Sequence, residues 1–163
     1  WQNRLPLYNL RMQNLSAAVI RPQIPEIGRR VRQGRENHDY MARLLNASPH
    51  LSVPPALGPE DRAPDSIQFS LVGDWTDGEA RAFEAAAKMR GAPVQIFGLS
   101  PDNARAFWNW QFLPEMPELP RTRAMLMRTC DLRLPARLGT GDLDFLADAV
   151  LSAAEAVKLK GAA

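Results

Sequence analysis

The sequence of 163 residues has few of the residue types that mark several protein classes. Its single cysteine, Cys130, excludes an internal disulfide framework and favours a reducing compartment, so we expect a cytoplasmic protein. No apolar run approaches the roughly eighteen residues of a membrane span. The first ten residues lack the apolar centre and cleavage pattern of a signal peptide. Neither His38 nor His50 has a cysteine or carboxylate at ligand spacing, so we expect no metal site.

Lysine is also scarce, because only Lys88, Lys158 and Lys160 are lysines among the 20 basic residues. The remaining basic residues are arginines, and several of them lie between residues 29 and 35. These arginines are spread around a predicted helix with glutamates nearby, and the net charge is only +2. A solvated helix surface is therefore a better interpretation than a nucleic-acid-binding face.

The sequence patterns predict one α/β domain. The sequence predicts a short helix rich in small residues over 14–20, and further helices over residues 26–46, 77–90 and 121–127. Capping signals predict one more helix beginning at Ser100-Pro101 and a last one capped by Thr140 or Asp142. Strand patterns cover residues 66–72, 93–97 and 129–134, and the Pro-rich residues 48–64 are a connection. This order suggests a sheet of three or four strands with helices mainly on one face.

Two predictions within these elements are specific enough to test. Thr76 and Glu79 have the spacing of a capping box, in which each side chain binds the other residue's backbone amide. The helix that they open is expected to bury one face and to end at Gly91, with the buried residues Ala82, Phe83, Ala86 and Met89. On the preceding long helix, we expect one apolar face made of Ile27, Val31, Gly34, His38, Met41 and Leu45.

Three stretches, in this order, resemble the C-terminal third of the DegT/DnrJ/EryC1/StrS aminotransferases. The first is Tyr8-Asn9-Leu10-Arg11-Met12 followed by Leu15, Ala17 and Ala18, which is similar to the family's Asn-x-Arg motif. The second is Gln23-Ile24-Pro25-Glu26-Ile27 with Arg35-Glu36-Asn37-His38-Asp39-Tyr40. The third is Leu132-Arg133-Leu134-Pro135 with Gly141-Asp142-Leu143 and the last helix. Residues 98–103 contain no histidine, although the family often has a substrate-facing histidine in this segment.

The resemblance implies the small C-terminal domain of a fold type I transferase that depends on pyridoxal phosphate, with a mainly antiparallel sheet. Residues 1–25 would link it to a large cofactor-binding domain, and residues 26–163 would form the small domain. The parent enzyme would transfer an amino group, usually from glutamate, to a keto-sugar or related ketone. It would act as a homodimer with shared active sites, without nucleic acid or membrane partners.

The resemblance also implies which residues reach the cofactor. The family's Schiff-base lysine lies upstream of the Asn-x-Arg motif, and no lysine of this chain has a comparable context. Asn9 is similar to the asparagine that reaches the phosphate of the partner subunit's cofactor. Arg11 is assigned to the same site, either to the phosphate or to an anionic substrate, although a structural role in the loop is an alternative for both residues.

Two further interpretations remain open at the level of sequence. Without the lysine, the chain could also be a non-catalytic binding or structural module derived from the same fold. The aromatic residues at 107, 108, 110 and 112 favour a core or subunit-interface cluster over a surface that stacks on a ring-containing ligand.

Overall fold

A computed structural model describes residues 13–58, 60 and 62–161 of the chain. They form a four-stranded sheet in which neighbouring strands are antiparallel and the spatial order is β1-β2-β4-β3. The strands are β1 (Leu51–Ser52), β2 (Ser66–Leu71), β3 (Gln95–Ile96) and β4 (Thr129–Arg133). This architecture confirms the predicted α/β class and the mainly antiparallel sheet.

Five α-helices accompany the sheet in the described residues. They are α1 (Asn14–Ile20), α2 (Ile27–Leu45), α3 (Asp77–Met89), α4 (Pro120–Leu126) and α5 (Thr140–Gly161). Short 3₁₀ segments occupy Arg21–Glu26, Phe97–Leu99 and Phe107–Asn109. Helices α2 and α3 each pack against α5, and α2 also contacts β2, so the three longest helices lie together against the sheet.

The alternating pattern of β2 explains why these helices cover only one face. Ile67, Phe69 and Leu71 are buried, whereas the serines and glutamine between them are exposed or half-buried. Because successive side chains of a strand point to opposite faces, the apolar residues meet the helices and the polar ones form the other face. Phe69 and Phe83 of α3 meet edge to face, with ring centroids 6.4 Å apart.

The start and end of α3 agree with the sequence. The Glu79 amide donates to Thr76 Oγ1 at 3.1 Å, and the Thr76 amide donates to Glu79 Oε2 at 2.7 Å, so the capping box is formed. After the helix, Gly91 has a φ of +94°, which a side chain would disfavour.

The buried face of α3 differs from the predicted one. Ala80, Phe83 and Ala87 are the buried residues of the helix, whereas Met89 is 88% exposed. Ala82 is exposed as well. The buried side of α3, which packs against α5, therefore includes two small alanines, and the long Met89 side chain is in solvent.

Three other details correct the sequence-based expectations. No α-helix begins at Ser100, where the chain forms turns before the 3₁₀ segment Phe107–Asn109. The Pro-rich connection contains the edge strand β1, which pairs with β2 through Leu51 and Ser52. On α2 the buried residues are Gly34, Asn37, His38, Met41 and Leu45, whereas Ile27 is exposed because its end of the helix extends beyond the core.

Candidate functional site

The two residues assigned to the cofactor, Asn9 and Arg11, lie outside the described residues. The described chain next to them is the segment of residues 13–30, which we call the N-terminal arm. Every residue of the arm is exposed, including Leu15 at 74%, Val19 at 58% and Ile24 at 56%. The arm therefore presents several large apolar side chains to its surroundings, on the chain that follows the predicted phosphate-binding motif.

None of the three lysines lies in a position typical of a Schiff-base lysine. Lys158 Nζ donates to Glu79 Oε1 at 3.1 Å and to the Asp74 carbonyl, and it lies 4.4 Å from the centroid of the Trp75 ring. Lys88 and Lys160 are exposed at the ends of their helices. No lysine lines the principal clefts formed by the described residues. These residues therefore do not by themselves form a pyridoxal phosphate site with a Schiff-base lysine.

The bonds of Lys158 also explain the acidity of its partner. Glu79 accepts hydrogen bonds from the Thr76 amide, the Thr76 hydroxyl and Lys158. These bonds favour the charged carboxylate and lower the pKa of Glu79 to about 2. The bonds of Glu79 with Thr76 and Lys158 connect the start of α3 to the end of α5, so these residues have a structural role.

A polar cleft of about 330 Å³ lies beside α2 and is lined by His38, Glu60, Arg62, Ser66 and Gln68, among others. Burial, followed by the nearby charge of Arg62, lowers the pKa of His38 below its usual value. The neutral imidazole is thus the favoured form. Sequence reasoning did not group these residues, because the contact between residues 38 and 60–68 depends on how the Pro-rich connection folds back.

The arginine of this cleft is already occupied. Arg62 Nε donates to Glu60 Oε1 at 2.7 Å and its Nη2 donates to Glu60 Oε2 at 3.1 Å. Nη2 also reaches the Pro55 carbonyl at 3.3 Å. Because both carboxylate oxygens of Glu60 bind this guanidinium, the pair has a structural role in closing the connecting loop.

The aromatic residues form a second, smaller core away from the sheet. Phe97, Phe107 and Leu126 are buried together, and Trp108 and Trp110 pack against them. Phe107 thus has the core role that the sequence favoured. Beside this core lies a cleft of about 360 Å³ whose lining includes Trp108 and Arg123.

Two kinds of feature are not found in the part of the chain that the structure describes. Among residues 13–58, 60 and 62–161, no three histidine, cysteine or acidic side chains are grouped as metal ligands would be. Within the same ranges, no helix has both the length and the apolar character needed to cross a membrane. Cys130 is buried in β4, and this burial raises the pKa of its thiol, so it behaves as a small core residue.

Comparison with known proteins places this geometry in context. The profile of the DegT/DnrJ/EryC1/StrS aminotransferase family matches residues 1–151. A similar solved structure is 3-amino-5-hydroxybenzoic acid (AHBA) synthase, with a TM-score of 0.69 and 18% identity over 91% of this chain. Another, from Streptococcus pneumoniae, is assigned as a sugar aminotransferase in its apo form, with a TM-score of 0.74 and 13% identity over 98% of this chain.

The length of these similar proteins is also informative. This chain covers 40% of the AHBA synthase chain and 39% of the Streptococcus pneumoniae chain. At these identities the likeness shows the fold alone. No curated protein matches the chain in sequence.

Proposed function

Because this chain belongs to the DegT/DnrJ/EryC1/StrS aminotransferase family, we propose that it is the C-terminal part of an aminotransferase that depends on pyridoxal phosphate. The complete enzyme transfers an amino group from an amino acid, glutamate, to a keto-sugar or a related ketone. When bound, the cofactor supplies the electron sink that such a transfer needs. The match of the family profile over residues 1–151 is the observation that carries this proposal.

The organisation of the described residues supports a division of labour within the complete protein. The main core involves α2, α3, α5 and the sheet, whereas the N-terminal arm is exposed throughout. We therefore propose that residues 26–163 form the small domain and that residues 1–25 link it to the large domain. In this arrangement the Schiff-base lysine belongs to the large domain, since the three lysines of this chain are engaged or exposed at helix ends.

The residues proposed to reach the cofactor are Asn9 and Arg11. An asparagine amide is neutral and can donate to a phosphate oxygen, and an arginine can add a charge-assisted bond. We propose that Asn9 binds the phosphate of a cofactor held in the partner subunit of a homodimer. Arg11 binds the same phosphate or an anionic group of the substrate. The exposed apolar arm that follows them supports a position against other protein surface.

We propose a cytoplasmic location, which is supported by the free, buried thiol of the one cysteine in this chain. A second candidate function is a non-catalytic binding module of the same fold. It rests on the absence of a lysine from the main clefts of the described residues, and it requires that no lysine elsewhere in the complete protein binds the cofactor.

The phosphate contact is tested by substituting Asn9→Asp in the complete protein. A carboxylate at this position would repel the phosphate, so we expect the dissociation constant of pyridoxal phosphate to rise at least about tenfold, as for loss of a hydrogen bond to a charged group. The measurement is a titration followed by the visible absorption of the bound cofactor. Asn14→Asp is the matched control, because Asn14 is exposed at the start of α1. Equal affinities for the two variants would refute the role of Asn9.

The transfer itself is tested separately by incubating the cofactor-loaded complete protein with glutamate. We expect 2-oxoglutarate to form in an amount equal to the bound cofactor before any acceptor is added. Cofactor binding without 2-oxoglutarate would refute glutamate as the donor. Failure of the complete protein to bind the cofactor would favour the non-catalytic module.

A further inference from the structure

The cleft beside the second core has the composition of a small-molecule site. It measures about 360 Å³, and its lining includes Trp108, Met116, Pro117, Leu119, Pro120 and Arg123. Clefts of roughly 300–1,000 Å³ with mostly apolar walls and a few polar groups are typical of ligand pockets. The flat indole of Trp108 favours a ligand with a planar ring, and the proline rings add apolar surface.

The wall of the cleft is held by contacts that do not depend on a ligand. Asn109 Nδ2 donates to the carbonyls of Ser100 and Asn103, each at 3.0 Å, and Trp110 Nε1 donates to the Ala104 carbonyl at 2.6 Å. Gly98 lies close to the turn that precedes β4, where an added Cβ would be 2.9 Å from the Met127 amide nitrogen. These contacts fix the segment that carries Trp108, so the cleft is formed in advance.

Arg123 supplies a cation to this mostly apolar cleft. Its guanidinium carbon lies 4.3 Å from the centroid of the Trp108 ring. No acceptor among the described residues forms a hydrogen bond or ion pair with it, although Glu118 lines the same cleft. By contrast, Arg128 is paired with Asp77 at 2.8 Å and Arg133 with Asp65 at 2.6 Å. Stacking on the indole orients the guanidinium and leaves its donors available to an anion.

We propose that this cleft binds a small molecule with a planar ring and a carboxylate or similar anionic group. The ring lies along Trp108, Leu119 and Pro120, and the anionic group accepts hydrogen bonds from Arg123. The proposal rests on the lining of the cleft and on the position of Arg123 over Trp108. It gives a role to the unpaired arginine and to the exposed apolar residues around it.

The proposal is tested by titrating the intact protein with 2-naphthoate and following the indole N–H resonances by NMR spectroscopy. Two matched probes separate the contributions: 2-naphthamide has the same rings without the charge, and decahydronaphthalene-2-carboxylate has the charge without the planar rings. We expect saturable binding of 2-naphthoate, with an affinity about tenfold higher than that of either matched probe. Equal binding of the acid and the amide, or no saturable binding of the acid, would overturn the proposal.

Variants assign the binding to this cleft. Arg123→Gln is expected to remove the difference between 2-naphthoate and 2-naphthamide, whereas Trp108→Leu should weaken both. Arg121→Gln is the matched control, because Arg121 lies on α4 and is exposed but does not line the cleft. If Arg121→Gln and Arg123→Gln changed the affinity for 2-naphthoate equally, the assignment of its binding to this cleft would be wrong. Circular dichroism checks that each variant folds. If Trp108→Leu fails to fold, the two arginine variants alone test whether the ligand binds in this cleft, since both positions are exposed.

Discussion

The sheet with its three long helices and the N-terminal arm use similar apolar residues with opposite results. In the first region, Phe83, Met41 and Val150 are completely buried. In the arm, no residue is buried, although Leu15, Val19, Ile20 and Ile24 are among its residues. An apolar side chain contributes to stability only where another surface removes it from water. The same residue types therefore form a core in one region and an available surface in the other.

The comparison also concerns helix stability. Helix α1 has seven residues and no side-chain cap, whereas α5 has 22 residues and packs against both α2 and α3. Helices shorter than about 12–15 residues are marginal in water without tertiary packing. The arm is therefore the region whose structure depends most on what it contacts in the complete protein.

The largest expected effect is the loss of a ring from the main core. Phe83 is fully buried and meets the rings of Phe69 and Trp75 edge to face. We expect Phe83→Ala to lower the free energy of unfolding by about 3–5 kcal/mol, because it removes apolar contacts and leaves a cavity. Chemical denaturation measures this change. A loss below about 1 kcal/mol would show that the main core tolerates a cavity at position 83, which would contradict close packing around Phe83.

An intermediate effect is expected at low pH from Glu79. Its folded-state pKa of about 2 lies below the usual value of 4.5, so its contribution is present above about pH 4.5 and is lost as the pH falls towards 2. We expect wild type to lose more stability over this range than Glu79→Gln, which cannot titrate. Denaturation at several pH values measures the difference. Identical pH profiles would show that the bonds of Glu79 to Thr76 and Lys158 do not persist in solution.

The smallest expected effect is that of Val19→Ala in the arm, for which a buried valine of α5 serves as the matched comparison. Val150 is 0% exposed in α5, whereas Val19 is 58% exposed in α1. We expect Val150→Ala to cost about 1.5–3 kcal/mol of unfolding free energy. Val19→Ala should change it by less than about 0.5 kcal/mol in this chain, as usual for exposed positions. A comparable loss at both positions, measured by the same denaturation, would show that the arm is packed rather than exposed.

Local signals predicted most helices and the central strands closely. The helix over residues 14–20 and the capping box at Thr76 and Glu79 were predicted as the structure has them, because helix propensity and capping bonds involve residues close together along the chain. The helix expected at Ser100 was wrong, since the Asn109 side chain binds the carbonyls of Ser100 and Asn103 and the chain forms turns. Strand β1 was missed because its two residues are defined by pairing with β2, which lies further along the chain.

The residues of the candidate site were harder to predict from the sequence than the fold was. The Asn-x-Arg motif gave Asn9 and Arg11, and both assignments remain predictions. The proximity of Arg123 to Trp108 involves residues 15 positions apart and no regular element that joins them, so periodicity could not indicate it. The aromatic residues near position 108 were the available signal, but they did not identify the arginine beside them.

By itself, the sequence determined most of the helices and the longer strands, the expectation of helices mainly on one face of the sheet, and the family resemblance, because capping, alternation and motif spacing depend on residues close together along the chain. Only the tertiary structure decided which apolar faces are buried, which arginines are paired and where Lys158 is held. These properties depend on contacts between distant segments, and a residue's burial or charge partner is not defined until those segments meet.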